Sequence, residues 1–416
     1  MSSNARIMCY VGVALLVGLG IAAYRARTGT SAAGQVVAQP PTSGEQSVVT
    51  AYNQMALQLY AQLRHESGNL VLSPCSIGTA MAMVHSGARG ETAAEMAKVL
   101  NQTLPREQMD AANAALLERL NRRGDGDACQ LSVANALCLT TGGQLVAQTY
   151  RDLLAAQYGA EVFSGQDVTP INAWVAKKTA GRIEKILEGL SPNSVCVLLN
   201  AIYFKGQWAS EFDKADTADA WFYTAPDTKV WIPMMRQKAK YSLVEHEGFQ
   251  AISLPYRTQP LAMVVILPKE KLGLAEVEEE LTHDSLQATF KKLKRTPPYE
   301  VPLSLPRFKV ATGTSLIPAF KALGMKRAFS ADEADFGGIT GRADELGRIW
   351  IAQIMHKAFL EVNEEGSEAA AATAVEVQDR AAGDVIRFEA NHPFLFLIVD
   401  TETDAILFVG RVVDPT

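Results

Sequence analysis

The stretch "EEGSEAAAATAVEVQDRAAGD", residues 364–384, decides how this chain is read. Ala and Glu are good helix formers, so composition alone favours a surface helix or a flexible alanine linker. A period of two gives a different reading. Ser367, Ala369, Ala371, Thr373, Val375 and Val377 form a set that is small or β-branched throughout. The alternate set, Glu368, Ala370, Ala372, Ala374, Glu376 and Gln378, is polar wherever it is large. That is the pattern of a strand with a buried face and a wet face. The buried face has no long side chain, so the segment can enter a packed sheet without displacing bulky neighbours. Gly366 precedes the set and supplies a permissive hinge.

The rest of the chain sets the frame for that stretch. Of 416 residues, 48% are hydrophobic and 20% charged, with a net charge of −6. That is enough for a large core, and no basic stripe of the kind nucleic acid requires is present. Tyr52, Met55, Leu59 and Leu63 recur at helical spacing and predict a helix over residues 48–65. Ser73 and Pro74 open a second helix that Gly87 and Gly90 close, and "TAAE" at 92–95 reads as a capping box for the next. Residues 148–158 and 171–187 also read as helices. Strands are expected over 197–204, 261–267, 301–310, 357–362, 394–399 and 406–413, with 311–315 a polar link between a strand and a helix. Helices lead and strands follow without βαβ alternation, which argues for a single α+β domain over residues 47–416.

The N-terminus differs in kind. Residues 7–24, "IMCYVGVALLVGLGIAAY", are uncharged and apolar, and as a helix would span about 27 Å. Residues 1–27 are therefore expected to be a signal peptide or a membrane anchor, followed by a flexible linker over 28–46. An extracytoplasmic protein, secreted or anchored through residues 7–24, is the expectation. Asn101-Gln-Thr is an N-glycosylation sequence, of consequence only in a eukaryotic secretory pathway.

Nothing local points to catalysis. There is no GxSxG, HExxH or P-loop, and the six histidines form no pair at ligand spacing. The five cysteines, Cys9, Cys75, Cys129, Cys138 and Cys196, fit no zinc pattern and read as small buried residues. A Cys129–Cys138 bridge is not argued for by anything local. No enzyme activity, cofactor or metal is expected.

The flanks of the opening stretch carry a resemblance. "HKAFLEVNEEGSEAAAAT" (356–373) and "FEANHPFLFLIVDTETDAILFVGRVVDPT" (388–416) closely resemble the serpin family. "NLVLSPCSIGTAMAMVHSGARGETAAEM" (69–96), "NAWVAKKTAGRI" (172–183), "LLNAIYFKGQWASEF" (198–212) and "LPRFKV" (305–310) fit the same family in the same order. The resemblance implies helices plus three β-sheets, with an exposed reactive-centre loop able to insert into the main sheet. It implies an irreversible suicide inhibitor of a serine protease, trapping the acyl-enzyme by loop insertion. The family's scissile bond, counted from Gly366 and from Phe388, falls on Arg380–Ala381. Arg380 is the only basic residue of the exposed loop and suits a trypsin-like pocket holding a carboxylate. Gln378 and Asp379 would be specificity neighbours, with Asp379 excluding proteases that require an apolar residue there.

The same resemblance makes Glu364, Gly366, Ser367, Glu368, Ala369, Ala370, Ala371, Ala372 and Thr373 the hinge; Ser367 stands where the family usually has threonine. It also assigns Ser73, Ser76, Asn200 and His356 to a conformational latch under the opening sheet, with Trp208 at the top. Read locally, Ser73 is a helix cap and His356 a core histidine. Some serpins bind heparin near the segment 110–123, but here Arg119, Arg122 and Arg123 are offset by Asp110 and Glu118, so a glycosaminoglycan cofactor is not expected. The expected partner is a trypsin-like serine protease in covalent complex with a monomer. The alternative is a non-inhibitory serpin-fold carrier or chaperone, against which the small hinge residues argue.

Overall fold

The computed structural model describes residues 40–124, 128–140, 146–190, 196–257, 259–341, 349–367 and 386–416. Two sheet systems carry the fold. The main sheet runs in the order Phe308–Ser315, Ile351–Val362, Cys196–Gln207, Cys129–Leu139 and Glu161–Ser164, with the short Gly366–Ser367 strand added against one end of Cys196–Gln207. Its central strand, "CVLLNAIYFKGQ", is apolar almost without interruption, because helices or sheet cover both of its faces. On one face Ile171 and Val175 of the Thr169–Lys178 helix cluster with Val197, Leu199 and Ala201. The other face looks onto the Pro74–Gly87 helix, which is buried along its whole length. That helix is rich in Ala, Gly and Met for a steric reason: a Cβ on Gly78 would lie 2.3 Å from the Tyr52 ring.

The second system is built around one long strand, Thr228–Glu245. Near its start it pairs with Ala218–Ala225, along its middle with Tyr299–Pro306, and near its end with Phe249–Pro255. Leu261–Pro268, Phe394–Asp400, Ile406–Val412 and Leu70–Leu72 continue one lobe, and Phe388–Glu389 closes the other. The three expected sheets are thus the main sheet and two lobes that share this strand.

The structure corrects several boundaries. The linker does not reach residue 46: a helix begins at Ser43, closed by a capping box between Thr42 and Glu45. "TAAE" is not a capping box, since Thr92 accepts from the Asp335 N–H and Glu95 from those of Lys326 and Arg327. The helix expected over 171–187 stops at Lys178, where Ala180 and Gly181 turn to φ +51° and +79°. The strand expected over 301–310 is two strands, Tyr299–Pro306 and Phe308–Ser315, because the chain passes from one sheet to the other at Arg307. The stretch 311–315 is therefore strand rather than link, and its Gly313 faces Lys357 in register.

Candidate functional site

The site lies at the head of the main sheet. Ile351–Val362 and Cys196–Gln207 run parallel, with register from Ile351 opposite Cys196 to Phe359 opposite Tyr203. Beyond Phe359 they no longer pair. The chain turns at Asn363–Glu365, and Gly366 and Ser367 come back antiparallel, opposite Gln207 and Gly206. Only glycine can make this return. Gly366 has φ +148°, and a Cβ there would lie 2.0 Å from the Gly206 carbonyl oxygen. Ser367 is fully buried, and its hydroxyl lies 2.8 Å from that of Tyr256. Tyr256 stacks at 4.7 Å on Trp208, whose indole N–H donates to the Asn363 carbonyl at 3.0 Å.

Two buried carboxylates fix the turn. Glu364 Oε1 accepts from Thr217 Oγ1 at 2.6 Å and from Arg307 Nε at 2.7 Å. Burial opposes the charge of Glu364, but the bonds from Arg307 and Thr217 outweigh it and hold the carboxyl below its ordinary range. Glu365 is ion-paired to Lys214. Tyr256, Arg307, Lys214 and Thr217 were not singled out by sequence reasoning, because their partners lie far away in the chain.

Further down, a second cluster joins the strands to the helix beneath. The Ser73 N–H donates to His356 Nε2 at 3.2 Å, so that nitrogen carries no proton. His356 Nδ1–H donates to Asn200 Oδ1 at 2.5 Å. Asn200 Nδ2 donates to Ser76 Oγ and, at 2.6 Å, to Asn135 Oδ1. The Ser76 N–H closes the ring by donating to Ser73 Oγ at 3.3 Å. Each polar atom is satisfied only when the imidazole is neutral, and burial pushes the His356 pKa down to about 3. Ser73, Ser76, Asn200 and His356 are thus brought together, with Asn135 as an added member. Trp208 stands apart, at the head of the sheet.

The comparisons with known proteins agree with this geometry. A family model described as Serpin (serine protease inhibitor) matches residues 50–415. The chain belongs to the serpin family. Serpin B6 of Pongo abelii is 37% identical, over 86% of this chain and 97% of its own. In structure it is similar to tengpin, a thermophilic serpin in its native state, at a TM-score of 0.80 and 27% identity, over 91% of this chain and 96% of that one. Human thyroxine-binding globulin matches at a TM-score of 0.79 and 26% identity, over 90% and 100%. Serpins are in general protease inhibitors rather than enzymes, although a carrier such as thyroxine-binding globulin shares the fold.

In this serpin, Glu364, Gly366 and Ser367 are placed as above. Glu368 to Thr373, Gln378, Asp379, Arg380 and Ala381 lie outside the described residues, as do residues 1–39. Among the described residues no helix is long and apolar enough to cross a membrane. Cys75, Cys129, Cys138 and Cys196 are buried free thiols, not a Cys129–Cys138 bridge, and burial raises the first three to about 12, 12 and 11. The acids that offset the arginines of the Arg106–Arg123 helix also differ from expectation. Arg119 pairs with Glu45 and Glu402, and Arg123 with Asp400 and Glu402; only Arg122 pairs with Glu118. Asp110 accepts instead from Ser86 and Tyr158.

Proposed function

We propose that this serpin is an irreversible inhibitor of a trypsin-like serine protease, cleaved at Arg380–Ala381 and trapping the enzyme by loop insertion. The protease serine attacks the Arg380 carbonyl carbon, and the bond to the Ala381 nitrogen breaks. The new amine leaves with a proton from the protease, and an ester remains. Insertion of the freed loop into the main sheet then competes with hydrolysis of that ester. Reactive-loop insertion is the general serpin device.

The observation that carries this reading is the seating of Gly366–Ser367. They already occupy the first two positions of a strand antiparallel to Cys196–Gln207, at the head of a parallel pair. A strand continued from Ser367 would replace one parallel interface by two antiparallel ones, which are slightly more stable per residue. With Ser367 on the buried side, period two puts Ala369, Ala371 and Thr373 on that side as well. The latch beneath the same pair of strands would rearrange as they part.

Incubation with trypsin, followed by a denaturing gel, tests the reading. A heat-stable conjugate is expected, lost in Arg380→Ala. A cleaved chain with no conjugate, and no rise in thermal stability on cleavage, would instead assign the protein to the non-inhibitory carriers. We also propose export through residues 7–24, for which the apolar run is the support; N-terminal sequencing of the mature protein separates signal from anchor.

A further inference from the structure

Trp221 and Trp231 face each other across the Ala218–Ala225/Thr228–Glu245 hairpin, T-shaped at 4.6 Å, yet are 43% and 55% exposed. They are not needed for the core, because the opposite face of the same hairpin buries Phe222 and Ile232. A cross-strand aromatic pair does stabilise its own hairpin. That accounts for the pairing but not for what extends it. Tyr223 follows on the same face, with Lys271 Nζ 3.5 Å from its ring centre, and Leu272, next in the chain, is 53% exposed. Lys229 Nζ sits 4.2 Å over the Trp221 ring. The result is an exposed apolar strip with ammonium groups over two of its rings. Trp and Tyr in such strips are the residue types that dominate protein–protein contacts.

The position of the strip points to its partner. Lys214 and Thr217, which lead into the hairpin, bond Glu365 and Glu364 where the reactive loop departs. The Tyr223 N–H donates at 2.9 Å to the Asn391 carbonyl, just past Phe388–Glu389 where the loop returns. The Arg307 N–H donates at 3.1 Å to the Pro233 carbonyl on the other strand of the hairpin, while the Arg307 side chain holds Glu364. One hairpin is therefore bonded to both roots of the loop. A globular protease engaged with that loop would come to lie against it.

We infer that the strip formed by Trp231, Trp221, Tyr223 and Leu272 is a second contact surface for the attacking protease. It would take an apolar surface loop beside the protease active site. It selects among enzymes that accept the same arginine. The inference rests on the inhibitory reading above. Arg380 alone cannot distinguish one trypsin-like protease from another, whereas a contact outside the active-site cleft can.

The test measures second-order inhibition rates and stoichiometries against trypsin, thrombin and plasmin. The proteins compared are the full chain, the double variant Trp221→Ser/Trp231→Ser, and the milder Trp231→Phe should the serines disturb the hairpin. Cleavage of a synthetic peptide covering residues 376–386 gives each enzyme's preference without the strip. The expected result is at least a tenfold slower association of the double variant with one or more of the inhibited enzymes, at unchanged stoichiometry and with a thermal midpoint lowered only by the loss of the cross-strand pair. Trp231→Phe should fall between the two. Slowing of less than tenfold for every enzyme that the full chain inhibits would overturn the inference. If the full chain conjugates none of them, the inhibitory reading itself fails and the strip loses its partner. That outcome is distinct, because it appears before any variant is made.

Discussion

The hydroxyls of Tyr256 and Ser367 lie 2.8 Å apart, both buried, and join the end of the Gly366–Ser367 strand to a residue 111 positions earlier in the chain. This bond holds the start of the loop inside the sheet. Tyr256→Phe leaves the Ser367 hydroxyl buried without its partner, at a cost of about 1 kcal/mol. Ser367→Ala in the same background should restore part of that loss. A double-mutant cycle read by denaturant midpoint is the check, with a coupling of about 0.5–1.5 kcal/mol expected. Additive losses would mean that the two groups do not interact.

Gly366→Ala should drive the hinge out of the sheet. The new methyl group would meet the Gly206 carbonyl at 2.0 Å, which no side-chain adjustment can relieve. Trp208, now packed against Tyr256 and bonded to Asn363, should lose both contacts. The expected signature is a red shift of tryptophan emission that disappears in a Trp208→Phe background, together with faster proteolytic nicking near residue 366. Ser367→Arg, which buries a charge instead, should leave trypsin cleavage intact but raise the number of inhibitor molecules consumed per enzyme trapped.

His356 makes the native state sensitive to acid. Its folded pKa is pushed down to about 3 by burial, against about 6.5 for an exposed histidine. The unfolded chain therefore binds a proton that the native chain refuses. Stability contributed by the neutral form is whole above about pH 6.5 and falls as the pH drops towards 3, by about 1.4 kcal/mol per unit. Protonation would also set an Nε2–H against the Ser73 N–H, two donors with no acceptor between them. His85, His246 and His392 are shifted in the same direction, so the measurement is a difference. His356→Gln should flatten the curve of denaturant midpoint against pH between 6 and 4 by about one proton. An unchanged slope would show that the imidazole already titrates in the folded protein.

The arginines of the Arg106–Arg123 helix should behave as structural ion pairs. Asp400 is fully buried, and Arg123→Ala would remove the ion pair at its Oδ2, leaving the Glu402 and Thr403 N–H groups on Oδ1, at a cost of about 3 kcal/mol. Arg122→Ala, which removes only an exposed pair with Glu118, should cost about 0.5 kcal/mol or less. Neither substitution should alter elution from a heparin column. A clear loss of retention in either would identify this helix as a polyanion site after all.

Local pattern was enough for the elements whose burial is uniform along their length. The strands at 197–204, 394–399 and 406–413 were legible as apolar runs, because each lies buried in its sheet. Elements that change partner part-way were not. The break at Arg307 has no local cause beyond the need to cross from one sheet to the other, and the helix over 171–187 ends where Ala180 and Gly181 turn left-handed. Charge neighbours were misread for a related reason. Sequence reasoning compared Arg119 and Arg123 with acids on their own helix, whereas their partners, Glu45, Asp400 and Glu402, come from both ends of the chain.

The alanine tract and its period of two come from the sequence alone. They establish that residues 367–377 can form a strand with a small-residue face, a property of neighbours in the chain that side-chain size and spacing express directly. Arg380 is singled out only by the resemblance to serpins, counted from Gly366 and Phe388. Which sheet would take that strand under the proposed insertion, from which end, and against which residues is a tertiary matter. It follows from Ile351–Val362 and Cys196–Gln207 running parallel and then ceasing to pair, so that a backbone edge stands open where Gly366 turns in. No local pattern encodes that gap, because it exists only where two strands whose paired residues, such as Phe359 and Tyr203, are 156 positions apart in sequence come side by side and stop bonding.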